Sequence, residues 1–250
     1  MIAAFQSRLL FPTHLVGPAG ALPKGTRQLT IDTGGDQLHG LHIRPAGRRS
    51  ANRPTLILGF GGNAWNAADA ATYLHGLYPR EHVVVFHYRG YRPSTGSPSA
   101  TALLDDALLV YDEAVAEVQP ERTIAVGFSI GSGVAASLAD RRPVDGIIMV
   151  TPFDSLKAVA GDLYPWVPVG LLFAHEIDAA SYLARSKVPV AIIGAANDML
   201  ILPRRTDALR RRVGNLAFDR TIAGAGHNDI YERWEFHEAM KDALVVISKS

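Results

Sequence analysis

Short apolar runs recur along this chain, each about the length of a strand and each followed by a stretch with helical period. Residues 55–60, 82–86, 123–128, 146–150 and 188–194 are apolar nearly throughout, and 216–222 is a sixth strand candidate. Helices are predicted near 68–78, 101–118, 132–139, 203–213 and 230–247. Within 101–118, Leu104, Leu108, Tyr111, Val115 and Val118 fall three or four apart, which puts them on one helix face. Strands without polar alternation, separated by helices, are those of a parallel sheet covered on both faces, so the fold class is α/β. Residues 28–32 and 37–44 flank Gly34-Gly35-Asp36, a hairpin signal ahead of that rhythm.

Two regions depart from the alternation. Residues 1–26 carry Pro12, Pro18 and Pro23 and read as an N-terminal arm lying on the body. Residues 154–187 are rich in proline and aromatics and read as a small cap inserted after the 146–150 strand. Residues 48–53 form a polar loop. The length of 250 residues suits a single domain spanning 1–250.

Composition narrows the classes. The formal net charge of +1 gives no footprint for nucleic acid. Arg204, Arg205, Arg210, Arg211 and Arg212 cluster, as on the solvated face of a surface helix. With no cysteine, disulfides, zinc-thiolate sites and a cysteine nucleophile are excluded. The N-terminus lacks the pattern of a signal peptide and no apolar run is long enough to span a bilayer, so a cytoplasmic location is expected. The segment 166–174 is apolar but short; it suits packing over a pocket or peripheral contact with lipid. Oligomeric state is not readable.

The candidate chemistry starts at Gly127-Phe128-Ser129-Ile130-Gly131, which reads Gly-x-Ser-x-Gly between a predicted strand and a predicted helix. A serine on that sharp turn is held in a strained conformation with its hydroxyl exposed above the sheet. Bulky residues two places either side would clash where strand and helix nearly touch. A serine hydroxyl needs a base beside it. Of nine histidines, His14, His39, His42, His75 and His237 sit in the arm, the hairpin or helices. His227 lies in Gly226-His227-Asn228-Asp229, between the last strand and last helix, where parallel sheets face their ligand crevice. A structural alternative makes it a cap on the final helix. The acid that orients the imidazole is assigned to Asp198, past the 188–194 strand, with Asp154 as rival. Asp154 has a second reading, as cap of the helix that opens the insertion. Asp105 and Asp106 read as dipole partners near a helix start.

An oxyanion hole needs two donors. One is the N–H of Ile130; the other comes from Gly61-Gly62-Asn63-Ala64-Trp65, assigned to Asn63 with Ala64 as neighbour. That loop lacks the glycine and lysine pattern of a phosphate cradle.

From residue 28 onward the chain resembles the α/β-hydrolase superfamily, and within it small serine hydrolases of the serine-aminopeptidase-like and depalmitoylase-like branch. The resemblance is carried by Phe128-Ser129-Ile130-Gly131, Tyr88-Arg89-Gly90-Tyr91 followed by Ser94-Thr95-Gly96, Tyr164-Pro165-Trp166-Val167-Pro168-Val169 and Gly226-His227-Asn228-Asp229. It implies Ser129, Asp198 and His227 as a triad, backbone donors from the Asn63 region and Ile130, and neither metal nor organic cofactor. It also implies a mostly parallel sheet with helices on both faces and a small cap. One departure stands out: the family commonly has His-Gly in the oxyanion loop, where this chain has Gly61-Gly62, and the missing histidine is expected to loosen that loop.

Phe60, Trp65, Tyr164, Trp166, Leu172 and Phe173 are the expected pocket residues, an apolar lining suited to an acyl chain or merely to packing of the cap. Arg89 reads as a brace for its own loop. The expected activity is hydrolysis of carboxylic esters of small or acyl-chain substrates through an acyl-serine intermediate. Thioesterase or depalmitoylase, peptidase, and a non-catalytic binding protein on the same fold are the alternatives.

Overall fold

The computed structural model describes residues 10–47, 54–166 and 173–249. Eight strands form one sheet: β1 (Arg27–Asp32), β2 (Gln37–Ile43), β3 (Thr55–Phe60), β4 (His82–Phe86), β5 (Arg122–Phe128), β6 (Gly146–Val150), β7 (Val190–Ala195) and β8 (Leu216–Ile222). Their order is β1-β2-β4-β3-β5-β6-β7-β8. β1 and β2 pair antiparallel as the expected hairpin, β2 joins β4 antiparallel, and all remaining pairs are parallel. The chain lays β4 on one side of β3 and then crosses to put β5 on the other. The strand order therefore reverses between β3 and β5, and sheets of this kind bind ligands outside the carboxyl ends of the strands at such a point.

Seven helices among the described residues cover the sheet: α1 (Ala67–Leu77), α2 (Ala100–Val118), α3 (Ile130–Arg141), α4 (Leu156–Leu163), α5 (Ala179–Leu183), α6 (Pro203–Arg210) and α7 (Trp234–Ile247). Two cores result, one on each face. Leu103, Ala107, Val134, Leu138, Ile177 and Leu183 pack on one, and Ala71, Leu74, Phe236, Met240 and Ile247 on the other. Leu56, Ile57, Leu58, Val83, Val84 and Val85 are wholly buried because successive strand residues face opposite covered sides.

Local departures from the sequence reading have physical causes. The most buried stripe of α2 is Leu103, Ala107, Val110, Tyr111 and Ala114, whereas Leu104, Leu108, Val115 and Val118 are half-buried flanks. Two alanines let the helix lie close to the sheet, and the larger residues fill the margins. The closing helix is not continuous. A 3₁₀ turn, Ile230–Glu232, precedes α7, and Arg233 between them is extended at φ −79° and ψ 133°. The Tyr231 carbonyl there accepts from the Tyr73 hydroxyl at 2.8 Å and from His237 Nε2 at 2.8 Å.

Asp106 is no dipole partner in a first turn. It is buried, and both its oxygens accept from Arg89, at 3.0 Å from Nε and 2.5 Å from Nη2. Arg89 also donates to Asp36 at 2.7 Å, so it ties the hairpin turn, its own loop and α2 together. Asp105 pairs instead with Arg141 at 3.1 Å. The arginine cluster is only partly a solvated face. Arg204 and Arg205 meet Asp162 on α4 at 2.9 and 3.1 Å, Arg210 meets Asp207 and Asp219, and Arg211 and Arg212 are exposed. Arm residues lie on the body: the Asn66 side chain donates to the Gly17 carbonyl at 3.0 Å, and Gly20 N–H to Asp69 at 2.8 Å.

Candidate active site

Ser129 stands between β5 and α3 with φ 52° and ψ −117°, a conformation that costs a side-chain-bearing residue about 1–3 kcal/mol. The surroundings hold it there. Its N–H donates to the Val150 carbonyl at the end of β6 at 2.9 Å, and its carbonyl accepts from Ser132 N–H at 2.9 Å and the Ser132 hydroxyl at 2.6 Å. The two flanking glycines answer to different neighbours. A Cβ on Gly127 would strike the Gly131 carbonyl, strand against helix as the motif suggests. A Cβ on Gly131 would strike the carbonyls of Phe60 and Gly61, so the second glycine admits the β3 loop.

His227 Nε2 lies 3.0 Å from Ser129 Oγ, and His227 Nδ1 lies 2.7 Å from Asp198 Oδ2. The other Asp198 oxygen accepts from the N–H groups of Leu200 at 2.9 Å and Ile201 at 2.8 Å. An ionised carboxylate only accepts, so Nδ1 carries the imidazole proton and Nε2 is left to accept from the serine hydroxyl. Asp198 is 3% exposed. Three residues 98 and 29 positions apart along the chain are thus joined in one hydrogen-bonded line. The loops that carry the acid and the imidazole are themselves laced: Asn197 N–H donates to the Ala225 carbonyl at 2.8 Å, and Gly226 N–H to Asp229 at 2.6 Å. Beside them, burial pushes the Tyr231 phenol up to about 12, and the charge of Asp198 acts in the same direction. Asp154 is held elsewhere, paired with Arg205 at 3.2 Å, and it caps no helix: Ser155 caps α4 by accepting from Ala158 N–H.

The loop after β3 comes up to the elbow. A Cβ built on Gly62 would lie 3.8 Å from Ser129 Cβ. Ile130 opens α3, where first-turn N–H groups have no partner within their own helix. The Asn63 side chain is tied on both sides: Oδ1 accepts from the Tyr91 hydroxyl at 2.6 Å, and Nδ2 donates to the Leu10 carbonyl at 2.5 Å. The Gly61 carbonyl accepts from the Tyr88 hydroxyl at 2.9 Å. Ala64 has φ 63°, a left-handed kink beside Asn63. Despite its paired glycines, this loop is tied to the loop after β4 and to the arm. Sequence reasoning missed these tyrosine struts, because partners 27 and 28 residues apart share no periodicity.

The expected pocket residues are scattered. Phe60 is 4% exposed and sits in the core under α2 and α3. Trp65 packs on the opposite face, with its ring 5.0 Å from Phe128 and 4.9 Å from Tyr231. Tyr164 and Trp166 meet edge to face at 6.0 Å, and Trp166 is 76% exposed. Phe173 is half-buried against the first core. Leu172 lies outside the described residues. Among the described residues no group of three or more His, Asp or Glu is placed to hold a metal ion, and no helix is long and apolar enough to cross a membrane.

No family model matches the chain. An uncharacterised protein of Mycobacterium tuberculosis is 30% identical over 230 residues, which cover 90% of this chain and 81% of that protein. The lysophosphatidylserine lipase ABHD12 of Xenopus tropicalis is 30% identical over 230 residues, covering 78% of this chain and 58% of the lipase. Among solved structures, an α/β-hydrolase from Vibrio vulnificus superposes with a TM-score of 0.77 at 18% identity, covering 97% of this chain and 92% of that one. With the strand order, the elbow and these relatives together, the chain belongs to the α/β-hydrolase superfamily.

Proposed function

We propose that this protein is a serine hydrolase that cleaves carboxylic esters through an acyl-Ser129 intermediate. The observation that carries the reading is the line from Ser129 Oγ through His227 to Asp198, with gaps of 3.0 and 2.7 Å. In the first half-reaction His227 Nε2 takes the serine proton as Oγ attacks the ester carbonyl, and the imidazolium then protonates the departing alcohol. Asp198 stays ionised and stabilises that imidazolium through Nδ1–H. Its second oxygen, held by the Leu200 and Ile201 N–H groups, keeps the carboxylate from rotating away. Water then attacks the acyl-enzyme with His227 as base. The developing oxyanion is held by Ile130 N–H and by a donor of the Asn63 loop.

In this reading an apolar acyl group meets the aromatic insertion, where Trp166 is left 76% exposed and stacks edge to face on Tyr164. The printed name of the frog relative points the same way, since a lysophospholipid is an acyl ester. A panel of p-nitrophenyl esters of graded acyl length, run on wild type and Ser129→Ala, tests the proposal. A fluorophosphonate should label wild type at Ser129 and leave the variant unlabelled. Folded wild-type protein that neither labels nor turns over any ester or thioester would be a binding protein on a hydrolase scaffold.

A further inference from the structure

The β3 loop must present a backbone donor at a fixed distance from Ser129, yet it contains two adjacent glycines. Glycine costs more ordering entropy than any other residue. Something outside the loop has to offset that cost. The loop after β4 does so with two phenols. Tyr88 and Tyr91 sit in one turn, closed by Tyr91 N–H donating to the Tyr88 carbonyl at 2.9 Å, and their rings meet edge to face at 5.9 Å. Both hydroxyls point at the neighbouring loop, Tyr88 to the Gly61 carbonyl and Tyr91 to Asn63 Oδ1. Burial holds both phenols well above their ordinary pKa, so each keeps its proton and donates.

Asn63 is the informative partner. The residue is exposed, and an exposed amide would ordinarily be satisfied by water. Here both of its ends are taken by protein, and the assignment is unambiguous because the Leu10 carbonyl can only accept. Leu10 is itself fixed by its neighbour Phe11, which is 3% exposed and packs edge to face on His175 at 5.4 Å. The amide is thus clamped between the β4 loop and the arm. If packing alone were needed from Tyr91, which is 2% exposed, a phenylalanine would supply it.

We infer that Tyr91, assisted by Tyr88, is a positioning residue for hydrolysis, setting the oxyanion donor of the β3 loop through Asn63. This rests on the serine-hydrolase reading above. The struts pre-organise the donor before substrate arrives, so their loss is felt where negative charge develops and not in ground-state binding.

The test uses the full chain and p-nitrophenyl butyrate. Tyr91→Phe should lower kcat by about 10- to 100-fold while KM stays within about twofold. A trifluoromethyl ketone, whose serine adduct bears an oxyanion, should bind more weakly by a similar factor. Asn63→Ala should reproduce the loss, and the double variant should be no worse than Asn63→Ala alone, because both changes cut one strut. If Tyr91→Phe does not fold, Asn63→Ala at its exposed position carries the kcat and inhibitor measurements. Wild-type kcat in Tyr91→Phe, or losses that multiply in the double variant, would overturn the inference while a dead Ser129→Ala left the hydrolase reading standing. Activity retained in Ser129→Ala would instead remove the reading beneath it.

Discussion

Among the described residues, His227 and His42 each hold a carboxylate on Nδ1. His227 has Asp198 at 2.7 Å, and His42 has Glu117 at 2.9 Å. Both rings are largely buried, at 9% and 3% side-chain exposure. They differ in what stands at Nε2. For His227 it is a serine hydroxyl at 3.0 Å, on a backbone forced to positive φ, at the carboxyl ends of the parallel strands. For His42 it is the Nδ1 of a second histidine, His82, at 2.9 Å, where the ring of β2 meets the start of β4. A carboxylate–imidazole pair therefore does not mark a reactive centre. What sets the His227 pair apart from the His42 pair is its placement at the strand ends and the serine hydroxyl, on strained backbone, at its other nitrogen.

The strongest way to break this distinction is at the serine. Ser129→Ala should lower ester turnover by roughly a million-fold, if the three groups act as one unit. Steady-state rates of the purified variant decide this, and near-normal turnover would reduce His227 to the same standing as His42. Next, Asp198→Asn should cost on the order of ten thousand-fold in kcat, because an amide in place of the carboxylate permits the wrong imidazole tautomer. Asp154→Asn should leave kcat within about twofold, since that side chain meets Arg205. If the two variants swapped effects, the acid would have been misassigned.

At the other pair the expected effect is on stability alone. Glu117→Gln should leave kcat within about twofold and lower unfolding stability by about 1–3 kcal/mol, the cost of disturbing a buried hydrogen bond to a charged group. Urea denaturation at pH 7.5 reads this directly. The smallest effect concerns pH. Burial lowers the pKa of His42 from 6.5, opposed by the hydrogen bond and charge of Glu117, while Arg44 and Arg27 add to the lowering. The unfolded chain then binds a proton at this site more readily than the folded one. The contribution of a neutral His42 is complete above about pH 6.5 and declines as pH falls below it. The urea midpoint of wild type should drop between pH 7.5 and 5.5 by more than that of His42→Gln; equal drops would mean that His42 does not titrate on unfolding.

The legibility of the two regions follows from the range of their interactions. The Gly127–Gly131 motif announced itself because its constraints are local: a strand, a tight turn and a helix within a dozen residues. Even there only half of the reason was visible, since Gly131 yields to the Phe60 and Gly61 carbonyls, which a neighbouring strand delivers. Asp198 and His227 were legible as loop residues following apolar strands. That Asp198, and not Asp154, meets His227 was decided by the lacing of two loops through Asn197 and Ala225. The aromatic residues went to different places, because a ring beside a strand-end loop packs into a core as readily as it lines a pocket. Trp65 went to the cluster with Phe128 and Tyr231.

The sequence by itself determined the alternation of strand and helix, the α/β class and the place of the elbow serine, because hydrophobic periodicity and turn sterics act over a few residues. Only the tertiary structure decided which carboxylate meets which imidazole, that Asp106 belongs to Arg89, and that Tyr91 and the arm hold Asn63. Those pairings depend on which strand ends the sheet order sets side by side. No short-range pattern encodes that choice, since it is settled when the whole sheet buries both of its faces at once.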